Sequence, residues 1–203
     1  MNYRLLLITI GVGIAAAAYF PTQPEPPAVE KFSRGIVDRA DVKYYDIHGR
    51  TPGEVASSVE RLAPETSADL GHTRATYHPA WHTIKDADGM CDLTAVKVTT
   101  ASQVARPRWT PTADTVPGLS TEWQRFTSAL EEHEAGHKDI SARGAQEILD
   151  GMLAMKTFCS QVPRDVKRLT DSVAAQVQRR QAAYDVTTHR GGSQGAAFLT
   201  RLP

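Results

Sequence analysis

Leu130-Glu131-Glu132-His133-Glu134-Ala135-Gly136-His137-Lys138 decides how the chain is read. Four residues separate His133 from His137, so on a helix the two side chains project from one face, one above the other. Their imidazoles can then hold a single Zn²⁺ from the same side, and Glu134 can act on a water at that ion without binding the ion itself. The helix is supplied locally. Residues 121–155 contain no proline, and Trp123, Phe126, Leu130, His133, His137 and Ile140 recur at three- and four-residue steps. That period predicts a long amphipathic helix with both histidines on its core-facing stripe. A histidine on a buried helix face is more often a hydrogen-bonded core residue than a ligand. Two imidazoles beside a carboxylate are costly to bury unless satisfied, however, and a metal satisfies them directly. Zinc is the reading adopted, and it requires a third ligand.

Working outward, the 203 residues are 41% hydrophobic and 23% charged, enough for one good core and a single domain. Lysine plus arginine and aspartate plus glutamate balance at 23 each, which gives no electrostatic case for a nucleic-acid partner or an anionic membrane surface. The basic residues Arg164, Lys167, Arg168, Arg179 and Arg180 alternate with acids and glutamines and read as a solvated helix face. At the N-terminus, Arg4 precedes an uncharged apolar run from Leu5 to Phe20 that ends in small residues. This pattern predicts a secretory signal or an uncleaved anchor at 1–20, and a periplasmic or secreted location for the rest, with membrane contact only through that segment. Cys91 and Cys159 are the only cysteines. In an oxidising compartment they would bridge; the other readings are two buried thiols or zinc ligation.

The segment 21–38 is proline-rich at its start and reads as a linker, followed by a single domain over 39–197 and a tail at 198–203. Val42-Lys43-Tyr44-Tyr45-Asp46-Ile47 reads as a strand. Thr51-Pro52-Gly53-Glu54 is a capping box opening a helix to about residue 62. Residues 72–104 carry the sheet, in which Pro79 forces an edge position or bulge, Asp86-Ala87-Asp88-Gly89 turns, and Cys91 to Thr99 alternates as one strand. The two runs on either side of that turn are expected to pair as a hairpin. Pro107, Pro111 and Pro117 mark an irregular connection into the helix bearing the histidines. Pro163 opens a last helix with a stripe of Val166, Leu169, Val173, Val177 and Tyr184, stopping near Tyr184-Asp185. A glycine-rich loop follows, and it carries His189.

Known templates for the third ligand do not fit. A metzincin would continue with glycine and histidine, but the chain runs Lys138-Asp139-Ile140-Ser141. A downstream helix glutamate is the other common ligand; Glu147 is close, and no glutamate follows it. This leaves His189, with Asp185 as runner-up, either ligating as in aspartate-type zincins or orienting a histidine. Tyr184 is a helix-end aromatic or, alternatively, a hydroxyl for a developing oxyanion. His48, His72, His78 and His82 lie in or near strands and read as surface polar residues.

Several features in fixed order resemble a family: Tyr45-Asp46-Ile47-x-Gly49-x-Thr51, Cys91, Pro107-Arg108-Trp109, Trp123 ahead of His133-Glu134-x-x-His137, Cys159, Tyr184-Asp185-x-x-Thr188-His189, and Gln194-Gly195-Ala196. The chain is similar over about 40–197 to the bacterial secreted zinc-dependent proteases inferred for the domain family DUF922. The resemblance implies a zincin-like α+β domain, export, and a cysteine pair. It also implies that the segment from Tyr184-Asp185 to His189 belongs to the site.

The sequence therefore predicts an α+β domain, a small mainly antiparallel sheet packed on long helices, with HExxH on the central helix. The expected function is an exported zinc metallopeptidase. Zn²⁺ would be held by His133, His137 and His189, Glu134 would be general base and Tyr184 the oxyanion donor, acting on a peptide or protein substrate. A zinc-dependent cell-wall amidase and a non-catalytic zinc-containing envelope module are the alternatives. A fourth ligand from His72, His78 or His82 would favour the module.

Overall fold

The capping box closes as read, with the Glu54 amide donating to Thr51 Oγ1 at 3.3 Å. The return bond to Glu54 Oε2, at 2.7 Å, comes from the Arg50 amide, one residue before the cap of helix α1 (Pro52–Leu62). The computed structural model describes residues 34–62 and 72–202, so the expected signal or anchor at 1–20 and most of the linker lie outside the described residues. Around α1 the order is β1 (Gly35–Ile47), α1, β2 (His72–Ala80), β3 (Thr83–Lys85), β4 (Met90–Leu93), β5 (Lys97–Trp109), α2 (Leu119–Leu153), β6 (Lys156–Phe158) and α3 (Val162–Thr188). A short 3-10 turn, Gly192–Gln194, follows. The class is α+β, as expected.

Two three-stranded sheets form, ordered β1-β5-β2 and β3-β4-β6. In the larger one β5 is central, parallel to β1 from Gly35↔Lys97 to Ile47↔Trp109 and antiparallel to β2. The smaller one is antiparallel throughout. The run Cys91 to Thr99, expected as one strand, is split between the sheets. Residues Thr94-Ala95-Val96 make the crossing, fixed by bonds from the His82 amide to Ala95 O at 3.2 Å and from the Thr94 amide to His82 O at 3.1 Å. The expected hairpin is therefore two pairings, β2 with β5 and β3 with β4. Pro79 does sit in an edge strand.

Two boundaries differ from the sequence reading. β1 begins at Gly35, inside the expected linker, because its polar run Asp38-Arg39-Ala40-Asp41 is an exposed edge strand that owes its form to pairing with β5 rather than to alternation. β5 continues through Pro107 to Trp109. Among the described residues, pairing with β2 ends at Ala105, and Pro107 is paired with Tyr45 of β1. The buried positions of β5 are Val98, Thr100, Ser102 and Val104, then Pro107 and Trp109. The inward face thus changes parity at Ala105-Arg106 and turns the end of the strand toward α2.

One core packs Val96, Val98, Ile148, Met152, Val166, Val173 and Val177 between the sheets, α2 and α3. A second packs Ile47, Val55, Val59, Trp109 and Leu119 around α1. Cys91 and Cys159 form the expected disulfide, with Cα atoms 4.9 Å apart and 68 residues between them in sequence. A loop of that size constrains the unfolded chain by about 4 kcal/mol in the entropy account. Among the described residues no helix is long and apolar enough to cross a membrane.

Candidate metal centre

His133 and His137 sit mid-way along α2, on the stripe that also buries Phe126, Leu130 and Ile140. Their Nε2 atoms lie 3.2 Å apart. Facing them is α3, which runs on to Thr188 instead of stopping near Tyr184-Asp185. That continuation places Gln181, Tyr184, Asp185 and Thr188 at steps of three and four residues, one stripe turned toward α2. Asp185 Oδ1 lies 2.8 Å from His137 Nε2 and 3.4 Å from His133 Nε2. The three donor atoms lie within 4.8 Å of one another and are the group among the described residues able to hold a metal ion.

The other ring nitrogens decide what these three atoms present. His137 Nδ1 meets Gln181 Oε1. The Gln181 amide nitrogen donates to His137 O at 3.0 Å and to Ser141 Oγ at 3.1 Å, which orients the amide so that its oxygen accepts Nδ1–H. His133 Nδ1 donates to Gln194 Oε1 at 2.9 Å. Gln194 Nε2 donates to the Tyr184 hydroxyl at 3.0 Å, and that hydroxyl donates to His133 O at 3.3 Å. With the proton of each ring on Nδ1, both amide oxygens are satisfied and the Nε2 lone pairs face each other and a carboxylate oxygen. His133 is 1% exposed and Asp185 Oδ1 is itself buried. Three lone-pair donors converging out of water repel one another, and a cation among them removes the repulsion. Two imidazoles and a carboxylate suit Zn²⁺ and leave a fourth position for water or substrate.

Glu134 is 2% exposed and lines a cleft between the end of the large sheet and α2, with Tyr44, Arg106, Pro107 and Leu130. Tyr45 is near enough that burial first, and the Glu134 charge second, push its phenol up to about 12. A hollow on the other side is formed by Ala182, Asp185, Val186, His189 and Arg190.

His189, the expected third ligand, stands outside the donor group. It caps α3 in the left-handed region, at φ 52°, and is exposed. Because the helix persists, Asp185 takes the inward position. Tyr184 likewise has a different setting from an oxyanion donor. Its ring stacks on His133 with centroids 5.1 Å apart and planes at 11°, while its hydroxyl is committed to His133 O and Gln194. The close approach explains Gly136 within the motif, where a Cβ would fall 2.2 Å from the Tyr184 hydroxyl oxygen. Gly191, at φ 81°, closes the other side, where a Cβ would meet the His133 ring at 3.0 Å. Of the remaining histidines, His48, His78 and His82 are exposed, and the His72 side chain is outside the described residues. Sequence reasoning did not find Gln181, although its place four residues before Asp185 is a helical signal, and it quoted Gln194 without a role.

A family model described as "Bacterial protein of unknown function (DUF922)" matches residues 42–192. The chain belongs to the DUF922 family. No curated protein and no solved structure matches it. The DUF922 match spans both histidines, Asp185, Gln181 and Tyr45, and ends at Gly192, just before Gln194.

Proposed function

We propose that this DUF922 protein is an exported zinc-dependent peptidase whose ligands are His133, His137 and Asp185. The observation that carries the reading is the convergence of two imidazole nitrogens and one carboxylate oxygen within 4.8 Å of one another, with a second buried carboxylate, Glu134, next to His133 in the chain. A zinc ion held there would polarise a carbonyl oxygen as a Lewis acid and acidify a water molecule. Glu134 takes the proton of the attacking water and passes it to the leaving amine. Tyr45, a buried phenol beside Glu134, is the hydroxyl this reading assigns to the developing oxyanion, while Tyr184 holds the His133 ring. The cleft lined by Tyr44, Arg106, Pro107, Leu130 and Glu134 gives an extended peptide a place beside the edge strand β1. Export is supported by the disulfide and by the apolar segment at residues 5–20.

The test is Glu134→Gln in zinc-loaded protein, assayed on denatured protein substrates and, in parallel, on peptidoglycan fragments. Zinc retained with protein hydrolysis lost supports the peptidase. Hydrolysis of the peptidoglycan fragments alone would transfer the chemistry to cell-wall amides, and hydrolysis unaffected by the substitution would overturn the mechanism.

A further inference from the structure

The loop that carries Gln194 is held onto α2 by a clamp eight residues before His133, about two helical turns away. Arg125 Nε and Nη2 pair with Glu122 Oε2 and Oε1 at 2.8 and 2.7 Å. The fork that remains points outward from this pair. Arg125 Nη1 donates to Gly195 O and Nη2 to Ala197 O, both at 2.6 Å. Glu122, 6% exposed, also accepts the Leu199 amide at 2.8 Å. The two carbonyls bracket Ala196, which is buried against Phe126 and Leu130. Gln194 is joined directly to Gly195, a left-handed residue at φ 91° whose amide bonds Gly192 O at 3.1 Å, so the clamp adds its two bonds to a turn that the backbone also shapes.

We propose that Arg125 is a positioning residue of the metal centre, aimed by Glu122 and acting through Gln194 on the tautomer and orientation of the His133 ring. The proposal rests on the metal reading above. Its physical content is the location of one proton. With Gln194 held, its carbonyl oxygen accepts from His133 Nδ1 and leaves Nε2 bare for a cation. With the loop loosened, Nδ1 keeps only the longer contact to Thr188 Oγ1 at 3.5 Å, and the tautomer with the proton on Nε2, which blocks ligation, becomes populated.

The experiment is a double-mutant cycle in zinc affinity with Arg125→Met and Gln194→Leu, joined to ¹⁵N NMR of the His133 ring in metal-free protein. Arg125→Met is expected to weaken zinc binding about tenfold in the parent chain and less than about twofold in the Gln194→Leu background. The His133 ring is expected to shift from the Nδ1–H form in the parent to a mixture in Arg125→Met. Equal weakening in both backgrounds, or an unchanged tautomer, would overturn the proposal. Arg125→Lys, which keeps the charge and loses the fork, carries the same cycle with less disturbance of the fold. The tautomer measurement needs no metal: a parent chain that binds no zinc yet shows the tautomer shift would refute the metal reading while leaving the positioning role intact.

Discussion

His133 and Gln194 are 61 residues apart in sequence and 2.9 Å apart in space, ring Nδ1 to amide Oε1. His137 and Gln181 repeat the arrangement on the opposite flank. Each histidine is thus oriented by a neutral amide rather than by a carboxylate, so the charge at the centre comes from Asp185 and Glu134. Gln181→Leu and Gln194→Leu should each lower zinc affinity about 10- to 100-fold with the fold intact. Competition against a chromogenic chelator reads this, and unchanged affinity in both variants would remove the amides from the account.

The clearance at Gly136 sets up a contest of known size. Alanine gains about 1 kcal/mol over glycine in a helix interior, whereas overpacking a filled site costs about 1–3 kcal/mol. A Cβ 2.2 Å from the Tyr184 hydroxyl oxygen and 2.4 Å from the ring carbon bearing it makes the clash the larger effect. Gly136→Ala should therefore lower the denaturant midpoint. The double variant with Tyr184→Ala should be more stable than the sum of the two single changes, because removing the ring removes the clash.

Much of this site was legible in the chain, and the part that was not has a single physical cause. HExxH, the capping box and the cysteine pair depend on local spacing or on residue type, and they gave the α+β class, α1 and the disulfide. The end of α3 was misjudged because Gln181, Asp185 and Thr188 are polar, and an apolar period cannot follow a stripe that turns polar where it meets a site. Ending the helix early put His189 ahead of Asp185, the residue that lies beside the two histidines. β1 was begun too late for a similar reason: the pairing of Gly35 with Lys97 is long-range and leaves no pattern in an exposed edge strand. Pro107 looked like a strand breaker because its place in β5 depends on parallel pairing with Tyr45, a long-range contact that leaves no local pattern.

Burial, the first cause in each case, pushes the Tyr45 and Tyr77 phenols up from an ordinary 10.0 to about 12. Between these values the unfolded chain releases protons that the folded chain keeps, so stability is complete below pH 10 and falls as pH rises toward 12. In Glu134→Gln the Tyr45 phenol should titrate lower, since the carboxylate charge is gone, yet remain above its ordinary value because burial persists. Tyrosine ¹³Cζ NMR resolves the two residues. A Tyr45 titration unmoved by the substitution would place it out of reach of Glu134 and end its role as oxyanion donor.

The most direct test of the central claim is elemental analysis, for zinc and iron together, of purified protein alongside the Asp185→Ala and His189→Ala variants. The account predicts one zinc per chain, lost in Asp185→Ala and kept in His189→Ala. Zinc kept without Asp185, zinc lost without His189, or a metal-replete chain that holds no zinc would contradict it.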